Sequence, residues 1–367
     1  MRLVFLDEVR PGAVLARPVY NERGAVLLAA GVELTEALIS RLKARGIGRV
    51  YVRDPRTADV EVKGHLRDET VQYALGELRR IAELLLDDCQ GFHHALRAGK
   101  IAKRVADVVD TLLTEVRQSS RAVFLLSDLY AYDTPLFLHS LHVAVYTLVL
   151  ATALGFPERD VREIALGALL HDIGKLLIPR QILDKPGRLT DEEFAVVKQH
   201  AALGFELLRK GEGISLPVAH CAFQHHERLD GSGYPRGLKE EEIHRYAKVL
   251  MVADVFEALT AHRVYRRAML PHEALELMER EAGTKLPASV VRCLRDHIVL
   301  YPIGVTVRLN TGEEGVVVDT NTRSPDRPVV RVLRDPSGRD LPEAEVYELD
   351  LSKHPDRYIV VCQAWSR

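Results

Sequence analysis

The spacing of apolar and polar residues divides the chain into four regions that predict different structures. In residues 1–53 short apolar runs alternate with turn residues, and Ala13–Tyr20, Ala25–Leu28 and Arg49–Val52 are predicted to be strands. Thr35 is predicted to cap a helix between the last two of these strands. This region is therefore predicted to be a small α+β unit with a regulatory or docking role.

Residues 54–131 change from a polar linker to amphipathic helices. After the polar start, apolar residues such as Leu75, Leu78, Val105 and Val108 recur at helical spacing. Such stripes form a packing face, either for the next region or for a second copy of the chain. We expect the second arrangement, so these helices are predicted to join a homodimer.

Residues 132–300 have helical spacing almost throughout, with loops predicted at Pro179–Arg188 and Asp230–Gly237. One stretch, Leu136–Phe156, carries no charged residue and is long enough to cross a bilayer. Because it contains several polar side chains, among them His139, a buried helix of a large bundle is the better prediction. We therefore expect no membrane span in this region.

The last region, residues 301–367, consists of short β-rich runs separated by turn residues. Val305–Leu309, Gly315–Val318, Val329–Leu333 and Tyr358–Val361 are predicted to be strands. The region is therefore predicted to form a small β-barrel-like extension, and it contains no catalytic motif. The whole chain is predicted to be mainly α, with small β-containing units at both ends.

Charge and cysteine content exclude some classes of protein. Over 367 residues the formal net charge is −2, so no overall positive field indicates DNA or RNA as a partner. The four cysteines lie far apart and form no CxxC pair, which is typical of reduced thiols. The first ten residues contain acids and no apolar leader segment. We therefore expect a cytoplasmic protein that binds no polymeric nucleic acid.

Residue types that can bind metal ions are concentrated in the third region, residues 132–300. Eleven of the fifteen histidines lie between residues 139 and 297. His171-Asp172 follows an apolar helical run, and the two oxygens of an aspartate allow it to bridge two divalent ions. Imidazole and carboxylate ligands without thiolates suit iron, manganese or zinc.

Two further segments place polar groups where an apolar bundle is expected. His225-His226-Glu227 is followed by a glycine-rich turn, and a core does not tolerate such a block without partners. Asp254 interrupts an apolar helical run, and burying a carboxylate without a counter-charge is costly. A metal ion is a partner that would satisfy both segments.

In combination, these motifs resemble the HD-GYP phosphohydrolases, a family of the HD superfamily. The matching segments follow the family's order and spacing across residues 132–282: His139-Ser140, His171–Lys175, His200–Gly204, His225–Pro235, and Ala253–Thr260 with Arg263–Arg266. Each motif is short, but the combination is specific to the family. The resemblance implies an all-helical HD-type catalytic bundle for residues 132–300.

The resemblance also implies ligands for two metal ions, with one aspartate shared. The first set is His139, His171, Asp172 and Asp254, and the second is Asp172, His200, His225 and His226.

Other matching positions would contact the substrate. Lys175, Arg263 and Arg266 match positions that contact substrate phosphate, and Gly233-Tyr234-Pro235 matches the loop beside the nucleotide. Asp172 and Lys175 would be the catalytic residues.

The resemblance implies that the chain is a metal-dependent phosphodiesterase, and we expect cyclic di-GMP to be its substrate. A hydroxide activated by two metal ions would attack phosphorus, and the product would be linear pGpG, GMP or both. Two alternatives stay open: a catalytically weak signalling protein that only binds cyclic dinucleotides, and an HD phosphohydrolase that acts on another nucleotide. The complete ligand set argues against the first, and the motifs beyond the simple HD core argue against the second.

One position departs from the family pattern and affects the number of ions. Some members hold a third metal through a glutamate four residues before the first histidine, and here that position is Pro135. Asp133 lies nearby but at a different helical angle. We therefore predict two divalent ions, iron or manganese.

Overall fold

The structure is a computed structural model that describes residues 1–21, 26–61, 66–87, 89–97, 99–118, 135–185, 187–261, 268–321 and 324–363. Its α-helices are α1 (Glu36–Ala44), α2 (Asp68–Asp87), α3 (Cys89–Arg97), α4 (Lys100–Gln118), α5 (Pro135–Ala153), α6 (Glu158–Leu170), α7 (Arg180–Leu183), α8 (Asp191–Leu208), α9 (Leu216–Gln224), α10 (Arg245–Thr260), α11 (Pro271–Glu281) and α12 (Ala288–His297). Its strands are β1 (Arg2–Phe5), β2 (Val19–Tyr20), β3 (Val26–Leu28), β4 (Arg49–Val52), β5 (Thr306–Leu309), β6 (Glu314–Asp319), β7 (Val329–Arg334), β8 (Tyr347–Asp350) and β9 (Ile359–Gln363).

The fold is mainly helical, as predicted, and the differences from prediction lie in the short elements. The short helix α7 lies inside the predicted loop Pro179–Arg188. Of the predicted strand Ala13–Tyr20 only Val19–Tyr20 is a strand, while Val14 and Leu15 form isolated bridges. Strands β1 and β8 have no counterpart in the prediction.

Helix α5 is the centre of the helical bundle. It is apolar on all sides, and it packs against α2, α4, α6, α10 and α12. Within the described residues it is the one helix long and apolar enough to cross a membrane, and 67% of its window Leu136–Ala153 is buried inside the protein. An apolar helix covered by its neighbours is typical of a core element, so it is weak evidence for a membrane span.

The apolar stripes of α2 and α4 belong to the same core. Leu75, Leu78, Val105 and Val108 are all buried in one cluster with residues of α5 and α6. The predicted dimer rested on the absence of a partner for these stripes in the N-terminal unit, and the helical bundle of the same chain covers them instead. Their spacing therefore no longer argues for a homodimer through these helices.

The two small units at the ends of the chain pack against each other. In the N-terminal unit, β1 pairs antiparallel with β4 and β2 pairs antiparallel with β3. The C-terminal unit is a five-stranded antiparallel sheet in the order β8-β7-β6-β5-β9. Leu3, Phe5 and Tyr51 of the first unit share a buried cluster with Val305 and Val307 of the second. A common hydrophobic core therefore joins the two ends of the chain.

Polar contacts reinforce this junction. Buried Arg2 pairs through Nε with Asp54 Oδ2 at 2.8 Å and donates from Nη1 to Thr306 Oγ1 at 2.8 Å. Burial acts to raise the pKa of Asp54, but the hydrogen bonds and positive charges of Arg2 and Arg56 together outweigh it and the pKa is lowered. Arg331 of β7 donates from both terminal nitrogens to Asp59 at 2.6 Å. The start of the predicted linker is therefore held against the C-terminal sheet.

Arg49 connects the N-terminal unit to the helical bundle. Its side chain is buried, and Nη2 donates to the carbonyl oxygens of Thr260 at 2.8 Å and Met269 at 3.3 Å. Thr260 is the last residue of α10, so the guanidinium satisfies a carbonyl that the helix itself leaves unbonded.

Replacing Arg49 by alanine is expected to lower the free energy of unfolding by about 2 kcal/mol, because two carbonyls lose a charged donor. Urea unfolding followed by circular dichroism measures this change. Arg41, an exposed residue of α1 in the same unit, provides the control. Arg41→Ala is expected to change the stability by less than about 0.5 kcal/mol, and equal effects of the two substitutions would contradict this role of Arg49.

Candidate metal centre

Five helices bring the seven predicted metal ligands to one place in the bundle. They lie on or directly after α5, α6, α8, α9 and α10, and they are His139, His171, Asp172, His200, His225, His226 and Asp254. All of them are buried except His139 and His226, which are partly exposed.

The seven side chains form two adjacent groups. The ligand atoms of one group, His139, His171 and Asp254, lie within 4.8 Å of one another, and so do those of the other group, Asp172, His200, His225 and His226. The division agrees with the two predicted ligand sets, in which Asp172 is the shared member.

Asp172 lies between the two groups and directs one oxygen to each. Oδ2 is 3.5 Å from His139 Nε2 and 3.4 Å from His171 Nε2, while Oδ1 is 3.3 Å from His200 Nε2 and 3.6 Å from His225 Nε2. Oδ1 is buried and has no hydrogen-bond partner among the described residues. A buried carboxylate oxygen without a partner is costly, and a cation would satisfy it.

Backbone carbonyls set the orientation of three imidazoles. Nδ1 of His171, His200 and His225 lies 2.7, 2.6 and 2.9 Å, respectively, from a carbonyl oxygen three residues earlier in the chain. Because a carbonyl only accepts, each Nδ1 carries the proton and donates, which leaves the Nε2 lone pair facing the centre. The Nε2 atoms of His200 and His225 are 3.3 Å apart. Two lone pairs at that distance repel unless a cation lies between them, so the donor set fits a divalent metal ion.

The histidines of the second group are held in the neutral form. Burial lowers the pKa of His200 to about 4. Burial also lowers the pKa of His225, and it holds the pKa of His226 well below its usual value. Neutral imidazole is the form that binds a metal ion, so these three side chains need not lose a proton at neutral pH.

The two aspartates of the centre are held in the charged form. For Asp172, burial acts to raise the pKa, but Lys175 and His171 outweigh it and keep the pKa well below its usual range. For Asp254, burial is likewise outweighed, here by the hydrogen bond to His139 and the interactions with the other histidines around it, and the pKa is held well below its usual range. Both carboxylates are therefore available as anionic ligands.

Glu257 is a buried carboxylate to which the sequence analysis assigns no role. It lies one helical turn after Asp254 on α10; its Oε2 bonds His139 Nδ1, and its Oε1 lies 3.4 Å from His142 Nδ1. Burial alone would lower the pKa of His139, but Glu257 and Asp254 outweigh it and raise that pKa to about 10. Glu257 therefore orients His139 toward the centre. Its i, i+3 spacing from Asp254 places the two carboxylates on the same face of α10, which is the one sequence signal for it and is too common in helices to assign a role.

Gly174 allows the turn after His171-Asp172 to approach α8. A Cβ at Gly174 would lie 2.0 Å from the carbonyl oxygen of His200 and 2.7 Å from the backbone nitrogen of Gly204. Any side chain at this position would push the turn and the helix apart. The glycine therefore brings Asp172 within reach of the ligands on and beyond α8.

Glu227 shapes the loop that contains Gly233-Tyr234-Pro235. It is buried, and its two carboxylate oxygens accept the backbone N–H groups of Arg236 at 2.8 Å and Leu238 at 2.9 Å. A Cβ at Gly233 would come within 2.4 Å of Glu227 Cα, so the loop folds back against Glu227 only with glycine there. The Tyr234–Pro235 peptide bond is cis.

The loop places Tyr234 beside the metal ligands. Its ring centroid is 4.6 Å from that of His226 and 6.3 Å from that of His200. Burial raises the pKa of Tyr234, so the phenol stays protonated. Tyr234 therefore forms a neutral aromatic wall of the centre.

The other residues predicted to contact substrate are only partly described. Lys175 lies one turn after Asp172, its ammonium bonds Asp172 Oδ2, and 26% of its side chain is exposed. Arg263 and Arg266 lie outside the described residues. Helix α5 begins at Pro135, and Asp133 also lies outside the described residues, so the number of ions stays a prediction.

Comparison with known proteins gives matches to two families and to several relatives. Residues 111–290 match the family described as HD domain, and residues 306–364 match the family described as KOW domain associated with HD domain. The chain is 35% identical over 263 residues to "Cyclic di-GMP phosphodiesterase PA4108" of Pseudomonas aeruginosa, covering 71% of this chain and 63% of that protein. The chain belongs to the HD-GYP family.

Two further proteins are similar to this HD-GYP protein, one in sequence over part of the chain and one in structure over most of it. "3'3'-cGAMP-specific phosphodiesterase 3" of Vibrio cholerae is 41% identical over 164 residues, covering 45% of this chain and 35% of that protein. The solved structure "Bd1817, a HDG"Y"P protein from Bdellovibrio bacteriovorus" is 18% identical with a TM-score of 0.48, covering 80% of this chain and 98% of that chain. The HD-GYP chain thus spans less than two thirds of the length of either curated relative.

The two family matches separate the part of the HD-GYP chain that contains the candidate metal ligands from its C-terminal sheet. The HD match contains all seven ligand residues, Glu257 and the Gly233-Tyr234-Pro235 loop. The KOW match coincides with the sheet β5–β9.

Proposed function

We propose that this chain is a metal-dependent phosphodiesterase that hydrolyses cyclic di-GMP to linear pGpG, GMP or both. The observation that carries the proposal is the pair of facing ligand groups with Asp172 between them, whose Oδ1 has no hydrogen-bond partner in the described part of the chain. The relative from Pseudomonas aeruginosa, which matches 71% of this chain and is named for that activity, supports cyclic di-GMP as the substrate.

Two divalent ions would be held by the predicted ligand sets. His139, His171 and Asp254 would hold the first, His200, His225 and His226 the second, and Asp172 both. When bound, the two ions supply activation of a water nucleophile and neutralisation of charge on the phosphoryl oxygens.

The side chains around the ions would bind and orient the substrate. Lys175 lies next to Asp172 and its side chain is partly exposed, so its ammonium would donate to a phosphoryl oxygen. Glu257 fixes the ring of His139, and Tyr234 covers the ligands on the side of His226. We assign Arg263 and Arg266 the role of binding phosphate from the resemblance alone.

We propose iron or manganese as the metals and two as their number. Imidazole and carboxylate ligands without thiolate suit these ions. The proline at position 135 removes the carboxylate that a third ion would need. Metal analysis of protein purified without chelator tests both statements, and a third well-occupied ion would contradict the second.

The purified, metal-loaded protein is expected to hydrolyse cyclic di-GMP, and chelation is expected to abolish the activity. Adding the metal back to the chelated protein should restore it, because the ligand side chains are held in place by their own hydrogen bonds. Chromatography of the products measures the rate and separates pGpG from GMP.

Comparison substrates separate this proposal from its alternatives. The relative named for 3'3'-cGAMP makes that molecule the first comparison, followed by a deoxynucleoside triphosphate and ppGpp. Metal-loaded protein that cleaves one of these but leaves cyclic di-GMP intact over hours would contradict the proposed substrate. Binding of cyclic di-GMP without cleavage of any of them would indicate a signalling protein.

We further propose that the protein is a cytoplasmic homodimer. Cys221, Cys293 and Cys362 are free thiols, as is typical of a reducing compartment. The dimer would use a surface other than the stripes of α2 and α4, since those are buried within one chain. Light scattering that shows a monomer at assay concentration would contradict the dimer.

A further inference from the structure

A partly exposed phenylalanine lies next to the tyrosine of the metal centre. Phe194 lies on α8 ahead of His200, and 45% of it is exposed. Its ring centroid is 6.3 Å from that of Tyr234, and the two ring planes meet at 81°. A single exposed apolar side chain needs no explanation, but this one forms an aromatic corner with Tyr234.

Tyr234 connects this corner to the metal ligands. The ring of Tyr234 is tilted by 33° from that of His226, with their centroids 4.6 Å apart. Three rings, those of Phe194, Tyr234 and His226, therefore lead from the surface to the second ligand group. A flat group attached to a phosphate at the metal ligands would reach these rings.

A lysine adds positive charge to the corner. Lys198 lies one turn after Phe194 on α8, and its Nζ is 4.9 Å from the Phe194 centroid and 5.9 Å from the Tyr234 centroid. The nearby Lys175 and Lys185 are paired with carboxylates. Among the described residues Lys198 has no such ion pair, so its charge is available to an anionic or π-rich ligand.

We propose that Phe194, Tyr234 and Lys198 form a subsite in which a nucleobase of the substrate stacks on Phe194. The proposal rests on the proposed function to the extent that the ligand is a nucleotide whose phosphate lies at the metal ligands. Stacking of a base on one aromatic side chain strengthens binding by about tenfold or more and tolerates any base. The subsite therefore selects ligands that carry a base over those that do not.

The test compares GMP with ribose 5-phosphate, which keeps the sugar and the phosphate but lacks the base. Both are titrated by calorimetry into the metal-loaded full chain. Wild-type protein is expected to bind GMP about tenfold more tightly than ribose 5-phosphate. Phe194→Leu keeps the apolar volume but removes the ring, and is expected to abolish this preference by weakening GMP alone. Phe194→Trp keeps an aromatic face and is expected to restore the preference.

Kinetics provide a second readout. With cyclic di-GMP, Phe194→Leu is expected to raise KM about tenfold with a much smaller change in kcat, because stacking holds the base equally in the bound and reacting states. Tyr358, a 52% exposed aromatic residue of the C-terminal unit, provides the control, and Tyr358→Leu is expected to leave both measurements unchanged.

The outcomes separate the subsite from the proposed function. If Phe194→Leu keeps the preference for GMP, or weakens GMP and ribose 5-phosphate equally, the subsite is overturned even when cyclic di-GMP is hydrolysed. If cyclic di-GMP is not hydrolysed but the preference for GMP depends on Phe194, the proposed function fails and the subsite stands for another nucleotide.

Discussion

Asp172→Ala is expected to remove both metal ions and to lower the rate of cyclic di-GMP hydrolysis by at least about a thousandfold. The reason is the position of the carboxylate: Oδ2 faces His139 and His171, and Oδ1 faces His200 and His225, all at 3.3 to 3.6 Å. Its loss weakens both ligand groups at once. Metal content measured by mass spectrometry and the rate at saturating substrate check the expectation.

His200→Ala is the matched comparison, since His200 belongs to one group alone. This variant is expected to lose the ion held with His225 and His226 and to keep most of the other. Both variants should retain the circular dichroism spectrum of the wild type, which shows that metal loss does not reflect unfolding. Equal loss of metal in the two variants would show that Asp172 does not serve both groups.

Glu257→Gln is expected to weaken metal binding at the group containing His139 by about tenfold, although glutamine has nearly the same shape. The carboxylate accepts from His139 Nδ1, which orients the ring and makes its Nε2 more basic. The amide of glutamine is a weaker acceptor, so it makes His139 Nε2 less basic than the carboxylate does. A less basic ring also binds protons less strongly, and this weaker competition by protons offsets part of the loss in metal affinity. Titration of metal into ion-free protein, with Glu206→Gln on the exposed face of α8 as a control, measures the change.

The same variant changes the proton release that accompanies metal binding. In the ion-free wild type the pKa of His139 is raised to about 10, so His139 is protonated at pH 7 and must lose that proton to bind a metal ion. Without the negative charge of Glu257 the pKa falls, and fewer protons should be released at pH 7. Calorimetry in two buffers with different ionisation enthalpies counts these protons. Unchanged release in Glu257→Gln would contradict the pairing of Glu257 with His139.

The ligand residues could be recognised in the sequence because their chemistry conflicts with their surroundings. Asp254 in an apolar helix and the pair His171-Asp172 after an apolar run both require a partner that a core does not supply. The polar side chains within the apolar run Leu136–Phe156 likewise predicted a core helix in preference to a membrane span, and the burial of α5 agrees with that prediction.

The role of Glu257 and the partner of the α2 and α4 stripes depend on contacts between distant segments. The sequence carries no signal for them as strong as that of the metal ligands. Glu257 has an ordinary place in a helical motif, and only its contact with His139 on another helix gives it a role. The stripes of α2 and α4 were assigned to a second chain, because amphipathic spacing shows that a face is covered and not what covers it.

By itself, the sequence determined that the chain is mainly helical and which side chains are able to bind metal, since both follow from local spacing and residue chemistry. Only the tertiary structure decided that Asp172 divides its two oxygens between two groups and that Arg49 bonds the end of α10. It also decided that the two ends of the chain share a core. These contacts join residues far apart in the chain, and they are set by how whole helices and sheets pack, which local spacing does not encode.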